Sequence, residues 1–275
     1  MQSKDLVKLT ITLLHKYGVK IRRRLSQHFV VNDALIDELM MHAMDLRPEY
    51  VVEIGTGLGF LTTHLCDAFK NVVTIELDRR LARAALELLR GKSNVNIVVG
   101  EGINFLINAL RSVDVVVSNV PYGITGPLIM SVIKSNCRAA VLTIQDEVAL
   151  RLKASPGSRE YSRLTVMVNT FMDVELGGKY LPEDFYPPPK VSSRVVVLRR
   201  VRRWSYDWEV YEGIVKCLFN QRRRLAKKVL SRCLNELRIY GDIYDLINLV
   251  GDRRVYQLPV NTLIEVFRKL APFPS

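Results

Sequence analysis

Short apolar runs that recur at regular intervals are the feature that most limits how this chain can fold. Five such runs lie in the first 150 of the 275 residues, and most are separated by a segment with helical spacing of apolar residues. Strands that alternate with helices in this way form a parallel sheet covered on both faces. The sequence therefore predicts a doubly wound α/β fold with strands at residues 50–54, 71–75, 95–99, 113–118 and 139–144.

The segments outside these five strands suggest a second, smaller domain. Helices are predicted at residues 5–17 and 32–44, with a basic arm between them, and two strands at residues 171–174 and 193–201 are predicted to close one sheet edge. After residue 204 the pattern is helical throughout, at residues 211–219, 222–230, 243–249 and 262–270. We predict a sheet domain with a basic N-terminal arm over residues 1–203 and a small helical domain over residues 204–275.

A glycine-rich turn follows the first predicted strand. Gly55, Gly57 and Gly59 let the backbone approach a ligand closely at the carboxyl edge of the sheet. Dinucleotide-binding folds use the same device, so the glycines alone leave the ligand open. Their spacing departs slightly from the phosphate-binding fingerprint, and Glu53 precedes them. A carboxylate suits the cationic sulfonium and ammonium groups of S-adenosylmethionine and would repel a pyrophosphate, so we expect S-adenosylmethionine as the cofactor.

Two further carboxylates stand at predicted strand tips. Glu76 ends the second strand about 20 residues after the glycine turn, where a carboxylate accepts hydrogen bonds from both hydroxyls of a ribose. Glu101 follows the third strand and is our candidate for the amino group of the cofactor's adenine. This assignment is the weaker of the two, since a glutamate near a helix start can equally stabilise the helix dipole.

The fourth strand ends in the segment Asn119-Val120-Pro121-Tyr122, the most specific signal in the chain. The exocyclic amine of adenine is a poor nucleophile because its lone pair is delocalised into the ring. Hydrogen bonds to the Asn119 side-chain oxygen and the Pro121 carbonyl would hold that amine in line with a methyl donor. Tyr122 offers an aromatic face to a base taken out of its stack. The alternative, an ordinary strand-ending turn, fits the tetrapeptide alone but not its position after the glycine turn and Glu76.

Taken together, these motifs resemble the ribosomal RNA adenine dimethyltransferase family, and the resemblance covers almost the whole chain. It rests on the following segments: 27–30 (QHFV), 53–59 (EIGTGLG), 76–78 (ELD), 119–122 (NVPY), 145–149 (QDEVA), 161–164 (YSRL), 185–193 (FYPPPKVSS) and 220–224 (NQRRR). It implies a Rossmann-like methyltransferase that uses S-adenosylmethionine. The implied reaction is dimethylation of two neighbouring adenosines near the 3′ end of small-subunit rRNA, as part of small-subunit biogenesis.

The resemblance also implies roles for individual residues. The positions that line the cofactor in the family match His28, Val30, Gly55, Gly57, Glu76, Glu101 and Asn119 in this chain. Phe185 matches an aromatic residue that faces the target base opposite Tyr122. The chain departs from the family pattern at Glu101, where aspartate is usual, and at Val30 and Val120, where leucine is common. These changes put only the Glu101 contact in doubt.

The charge of the chain favours a polyanionic partner. The formal net charge is +12, and residues 186–275 carry 18 Lys and Arg against 8 Asp and Glu. Three clusters are candidates for contact with phosphates: residues 22–24, residues 199–203, and Arg222, Arg223 and Arg224 with the lysines at 227 and 228. Helical spacing would place Arg224 and both lysines on one side. We expect the partner to be the small ribosomal subunit and its rRNA.

The remaining expectations are negative ones. The four cysteines are far apart, so we expect reduced thiols and no metal site. No apolar stretch is long enough to span a bilayer, and we expect a cytoplasmic monomer without membrane contact. Three alternatives remain open at this point: an adenine methyltransferase acting on large-subunit rRNA or DNA, a non-catalytic ribosome-assembly or transcription factor on the same fold, and a nicotinamide oxidoreductase. The last lacks a recognisable acid–base pair and leaves the segment 119–122 unexplained.

Overall fold

The computed structural model describes residues 3–21, 27–108, 113–239 and 243–270. It divides into two compact units, of which the first comprises Met1–Ala149 and Val174–Arg200, and the second Leu150–Asp173 and Val201–Ser275. The sequence analysis drew one boundary at residue 203 and so assigned residues 150–173 to the larger domain. These residues belong instead to the second unit, because Phe171 packs against the rings of Trp204 and Trp208.

The helices and strands follow one another along the chain in nearly the predicted order. The elements up to residue 145 are α1 (Ser3–Lys16), β1 (Phe29–Val30), α2 (Asp33–Asp45), β2 (Val51–Ile54), α3 (Phe60–Ala68), β3 (Val72–Glu76), α4 (Arg79–Leu88), β4 (Val95–Val99), α5 (Gly102–Asn108), β5 (Val115–Asn119), α6 (Thr125–Lys134) and β6 (Ala139–Gln145). The later elements are α7 (Asp146–Leu152), α8 (Arg163–Phe171), β7 (Met172–Tyr180), β8 (Phe185–Tyr186), β9 (Ser193–Arg200), α9 (Trp208–Phe219), α10 (Ala226–Glu236), α11 (Ile243–Val250) and α12 (Val260–Leu270).

Seven strands of the described residues form one sheet in the order β4-β3-β2-β5-β6-β9-β7. β2 pairs in parallel with β3 and β5, β3 with β4, and β5 with β6, whereas β9 runs antiparallel to β6. The central strands consist largely of Val and Ala with fully buried side chains, as expected where helices cover both faces. The predicted doubly wound fold is confirmed, and β7 and β9 close one edge of the sheet as predicted.

Capping side chains fix where two helices of the first unit begin. Asn32 accepts a hydrogen bond from the Ala34 backbone N–H before α2, and Asp78 accepts one from the Arg80 N–H before α4. Gly59 precedes α3 with a φ of 91°. A Cβ added there would lie 3.1 Å from the Cβ of Ala85 in α4. Both the backbone angle and the close approach to α4 therefore favour glycine at this position.

Aromatic side chains form much of the core of the second unit. Tyr211 in α9 is fully buried, and its hydroxyl lies 2.8 Å from the Thr170 hydroxyl in α8. The ring of Trp208 lies 5.0 Å from that of Phe171 and 4.7 Å from that of Phe267 in α12, measured between centroids. These contacts connect α8, α9 and α12 through one cluster, which explains why residues 150–173 fold with the C-terminal helices.

The predicted helix at residues 222–230 begins only at Ala226. The backbone of the preceding residues pairs with a later segment instead: the N–H of Tyr256 donates to the Arg222 carbonyl and the N–H of Val255 to the Arg224 carbonyl, each at 3.0 Å. Arg224 therefore does not share a helix face with Lys227 and Lys228, and the continuous basic track inferred from helical spacing is wrong. The tertiary pairing overrides local propensity here.

The expectation of four reduced cysteines is also wrong. Cys217 in α9 and Cys233 in α10 form a disulfide, with a separation of 16 residues along the chain. The packing of two consecutive helices brings these thiols together. A separation of 16 residues is not a short cysteine spacing that would predict the pairing from the sequence. Cys66 and Cys137 are free and buried.

Two absences concern the part of the chain that the structure describes. No described helix combines the length and the apolar character that crossing a bilayer requires. No group of three or more His, Cys, Asp or Glu side chains among the described residues is arranged to hold a metal ion.

Candidate active site

A cavity of about 200 Å³ opens in the first unit at the carboxyl ends of the parallel strands. The structure brings together there all the residues that the sequence analysis assigned to the cofactor and to the target base. The cavity is lined, among others, by His28, Val30, Gly55, Gly57, Glu76, Glu101, Asn119, Pro121, Tyr122 and Phe185. We call the part formed by Glu53, Gly55–Leu58, Glu76 and Glu101 the cofactor side, and the part formed by His28, Asn119–Tyr122 and Phe185 the acceptor side.

The glycine turn forms the centre of the cofactor side. Gly55, Gly57 and Gly59 all have positive φ values, of 86°, 57° and 91°. A Cβ at Gly57 would lie 3.4 Å from the ring of Phe29. The turn therefore takes a backbone shape that residues other than glycine rarely adopt.

Glu76, at the end of β3, holds the turn in place. One of its carboxylate oxygens accepts the Gly57 N–H at 2.9 Å and the other accepts the Asp78 N–H at 2.8 Å. The side chain is buried, and burial raises the pKa of Glu76 above its ordinary value although these two hydrogen bonds oppose the shift. Each oxygen retains a lone pair, so the carboxylate can accept two further hydrogen bonds from a ligand in the cavity.

Glu53 is the most strongly perturbed carboxyl group of the cofactor side. It is 1% exposed, and one of its oxygens accepts hydrogen bonds from the hydroxyls of Thr62 and Thr74, each at 2.6 Å. Burial nevertheless raises the pKa of Glu53 to about 8. The sequence predicts Glu53 as a carboxylate suited to the cationic groups of the cofactor. Its two threonine partners went unrecognised, since a lone threonine carries no sequence signal.

Glu101 differs from these two carboxylates because it is exposed. It directly precedes α5, and its carboxylate accepts the Asn104 N–H at 3.2 Å. The side chain therefore caps the helix start, one residue before the first turn, and it also lines the cavity. A contact between Glu101 and the adenine of a cofactor stays a prediction.

Asn119 ends β5 on the acceptor side, and one hydrogen bond sets its orientation. Its Nδ2 donates to the backbone carbonyl of His28 at 2.9 Å, which leaves Oδ1 as an acceptor for another group. Two residues later, the Pro121 carbonyl accepts the Ile124 N–H at 3.0 Å and retains its second lone pair. The site thus offers two acceptors from neighbouring residues, which suits an amine with two N–H bonds.

The arm residues reach this site through a small second sheet. β1 pairs antiparallel with β8, with Phe29 opposite Tyr186 and Val30 opposite Phe185. His28 lies with its Nδ1 2.6 Å from the Pro187 carbonyl, so Nδ1 must carry the proton because a carbonyl only accepts. This pairing explains how residues 27–30 line the same cavity as residues that are far away from them in sequence.

Tyr122 is fixed by contacts at its hydroxyl and its ring. Its hydroxyl lies 2.6 Å from Oγ of Ser193, and its ring centroid lies 5.4 Å from that of His28. Burial raises the pKa of Tyr122, so the hydroxyl stays neutral. Phe185 also lines the cavity and is 2% exposed. The sequence analysis found Tyr122 and Phe185 but gave no role to Ser193.

Not every arginine of the predicted basic clusters is free for contact with phosphates. The guanidinium of Arg222 is half-buried, donates to the Ser158 and Arg159 carbonyls at 3.3 and 2.8 Å, and lies over the Tyr256 ring. It therefore serves the fold of the second unit, whereas Arg223 and Arg224 are exposed. Within residues 199–203, the Arg200 side chain donates to backbone carbonyls and that of Arg199 pairs with a glutamate. The cluster at residues 22–24 lies outside the described residues.

Comparison with known proteins agrees with these features. The profile of the family described as ribosomal RNA adenine dimethylase matches residues 18–268. A probable ribosomal RNA small subunit methyltransferase A from Pyrococcus abyssi is 36% identical over 261 residues, which cover 92% of this chain and 93% of that protein.

Two solved structures share the fold over 88% of this chain. A dimethyladenosine transferase from Plasmodium falciparum has a TM-score of 0.75 and 25% identity, and the match covers 98% of its chain. The 23S rRNA methyltransferase ErmE has a TM-score of 0.63 and 27% identity, and the match covers 99% of its chain.

Proposed function

This chain belongs to the ribosomal RNA adenine dimethylase family, and from that premise we propose that it dimethylates N6 of two adjacent adenosines near the 3′ end of small-subunit rRNA, with S-adenosylmethionine as donor. One observation carries the proposal at the level of the site. Asn119 donates its amide N–H to the His28 carbonyl, which leaves Oδ1 as an acceptor for an amine, and Pro121, whose carbonyl retains a lone pair, lines the same cavity. This arrangement positions an exocyclic amine and provides no nucleophile of its own.

The cofactor side fits S-adenosylmethionine in its hydrogen-bonding groups. When bound, this cofactor supplies a methyl group on a positively charged sulfur. Glu76 has both carboxylate oxygens available for the ribose hydroxyls, and Glu53 places a buried carboxyl beneath the glycine turn. His28, Val30, Gly55 and Gly57 would contribute backbone and apolar contacts, and Glu101 would accept from the adenine amino group.

The acceptor side would hold the target base in three ways. The Asn119 Oδ1 and the Pro121 carbonyl each accept one N–H of the amine, which directs its lone pair toward the cofactor side. Tyr122 and Phe185 provide aromatic surface for a base removed from its stack. As the amine gains the methyl group it becomes cationic and loses a proton readily, so Asn119 and Pro121 need only stabilise the developing positive charge.

We propose that exposed basic side chains contact the phosphates of the RNA backbone. In the second unit these include Arg223, Arg224 and Lys228. Phosphate contacts of this kind give affinity without sequence information and weaken steeply as salt concentration rises. The ribosomal substrate places the reaction in the cytoplasm, during assembly of the small subunit. The proposal assumes that the protein acts as a monomer.

The decisive experiment is transfer of labelled methyl from S-adenosylmethionine to purified small ribosomal subunits that lack adenine dimethylation. Large subunits and duplex DNA are tested alongside, and the products are digested to nucleosides. We expect N6,N6-dimethyladenosine in the small subunit alone. Dimethyladenosine in the large subunit would instead support large-subunit rRNA as the substrate, as the name of ErmE states for that protein. Measurable cofactor binding without transfer to any of the three would overturn the enzymatic proposal in favour of an assembly factor.

A further inference from the structure

We propose that Ser193 is a positioning residue for the reaction, which holds the Tyr122 ring in one orientation and contributes more to the second methyl transfer than to the first. The inference rests on the proposed function. It begins with one contact: Oγ of Ser193 lies 2.6 Å from the Tyr122 hydroxyl. Ser193 is fully buried, and neither hydroxyl has another hydrogen-bond partner among the described residues.

This contact restrains the ring where restraint is most effective. The hydroxyl lies at the end of the side chain farthest from the backbone, so a bond there resists rotation about χ1. At the near end, the Tyr122 carbonyl accepts the Thr125 hydroxyl at 3.2 Å. The His28 ring, 5.4 Å away and inclined by 32°, limits movement on one side. Within the described part of the chain, the Ser193 bond alone holds the outer end of the ring through a hydrogen bond.

Ser193 itself lies on a strand that is anchored on both sides. Its Cα partner in β6 is Gln145, and the backbone carbonyl of the preceding Ser192 accepts the Asp146 N–H at 2.9 Å. On its other side, β9 contacts β7 through Arg194, which donates to the Gly177 carbonyl at 2.9 Å. Arg194 also donates to the Asp146 carboxylate at 2.6 Å, and Lys179 lies 3.1 Å from the same carboxylate. The half-buried ion cluster therefore keeps β9 in register with β6 beside Tyr122.

The chemistry of the acceptor explains why the two transfers should depend differently on this bond. An unmodified adenine amine has two N–H bonds and can satisfy both the Asn119 Oδ1 and the Pro121 carbonyl. After one methyl group has been added, one N–H remains, so only one of these acceptors can be used. The base is then held less by hydrogen bonds and more by contact with the aromatic ring. A ring free to rotate should therefore slow the second transfer more than the first.

The test follows both products over time on undermethylated small subunits with the full-length protein. The variants are Ser193→Ala, Tyr122→Phe and the double variant, with Ser192→Ala as the matched control. Rates of the two transfers come from the amounts of N6-methyladenosine and N6,N6-dimethyladenosine after digestion. Because one hydrogen bond is lost, we expect the second transfer to fall by roughly fivefold in each single variant. The first should fall less, so that N6-methyladenosine accumulates.

The remaining measurements separate positioning from general damage. The KM for S-adenosylmethionine and the melting temperature should stay close to those of Ser192→Ala. Because each single variant removes the same bond, the double variant should be no slower than the slower single variant. Additive losses, or equal losses in both transfers, would overturn the positioning role. If the unaltered protein makes dimethyladenosine and Ser193→Ala behaves like Ser192→Ala, only this inference fails. If the unaltered protein makes none, the proposed function fails as well.

Discussion

The cofactor side and the acceptor side of the cavity are built in different ways. On the cofactor side the partners are near in sequence: Glu53 and Thr62 are 9 residues apart, and Gly57 and Glu76 are 19 apart. On the acceptor side the separations are 71 residues for Tyr122 and Ser193, 91 for Asn119 and His28, and 159 for His28 and Pro187. The cofactor side is thus a product of consecutive strand–helix units, whereas the acceptor side forms only when distant segments of the first unit meet.

The largest expected effect comes from Asn119→Ala, which removes the central residue of the acceptor side. We expect kcat to fall by about 10²-fold to 10³-fold, the loss typical of removing one positioned hydrogen-bonding group. Affinity for S-adenosylmethionine should change much less, and the fold should remain intact. Single-turnover methylation and equilibrium dialysis of labelled cofactor measure the two quantities. The exposed Asn96→Ala is the control, and retained turnover would contradict the role of Asn119.

The second effect concerns Glu76→Gln on the cofactor side. The Gly57 and Asp78 N–H groups bond to different carboxylate oxygens, so in a glutamine one of these two positions is an NH₂ group, which would face a donor. We expect the Kd for S-adenosylmethionine to rise by about 10-fold to 100-fold through loss of charged hydrogen bonds. Calorimetric titration measures this change, with the exposed Glu183→Gln as control. An unchanged Kd would show that the carboxylate serves only the turn.

The third effect is the pH dependence of stability that Glu53 introduces. Its pKa is about 8 in the folded protein, against 4.5 for an ordinary glutamate. Between these values the folded protein keeps a proton that the unfolded chain has lost. The free energy of unfolding should therefore decrease as pH rises through this window, by at most about 1.4 kcal/mol per pH unit, and then level off.

Glu53→Gln should remove this part of the pH dependence because a glutamine side chain does not titrate. Its side-chain oxygen can still accept hydrogen bonds from Thr62 and Thr74, so the packing of the site should be kept. Urea unfolding of both proteins between pH 5 and 9 gives the comparison, again with Glu183→Gln as control. Parallel curves for the unaltered and the Glu53→Gln proteins would show that the carboxyl group does not titrate in this window.

The smallest effect concerns the anchor of the N-terminal arm. Glu87 in α4 accepts hydrogen bonds from Lys16 at 2.7 Å and from the Tyr17 hydroxyl at 2.6 Å, and Arg80 donates to the Gly18 carbonyl. Lys16 is exposed and Glu87 is partly exposed, so Glu87→Gln should raise the KM for S-adenosylmethionine only slightly, and only at low salt. Steady-state kinetics at two ionic strengths, with the exposed Glu160→Gln as control, would show it. A large rise that persists at high salt would mean that the arm depends on this anchor far more than its exposure indicates.

The contrast between the two sides also explains what could be predicted from the sequence. Apolar periodicity placed the five parallel strands, and the spacing from the glycine turn to the next strand tip placed Glu76. Both follow from the repeating geometry of a strand–helix unit. Asn119, Pro121 and Tyr122 were recognised because a short motif carries them. Ser193, the partner of Tyr122, lies on β9, and Pro187, the partner of His28, directly follows β8. The register of both strands is set by long-range pairing, which no local pattern encodes.

In the second unit, too, features that depend on long-range contacts could not be predicted from local sequence patterns. α8 was missed because its segment is rich in Val and Thr, which favour strands. The helix forms because Ser162 caps it, with its hydroxyl accepting the Thr165 N–H, and because its apolar side chains are buried within the unit. The disulfide between Cys217 and Cys233 likewise depends on the packing of α9 against α10. Tertiary contacts decided each of these features.

The path of the chain between the units has a consequence for synthesis. The chain passes from one unit to the other after residues 149, 173 and 200. A ribosome adds about 5–20 residues per second, so residues 150–173 emerge several seconds before the C-terminal helices that bury Phe171 and its neighbours. During that interval α8 is an apolar segment without its partners. A nascent chain interrupted after β9 would therefore carry a complete set of sheet strands together with an exposed, aggregation-prone insertion.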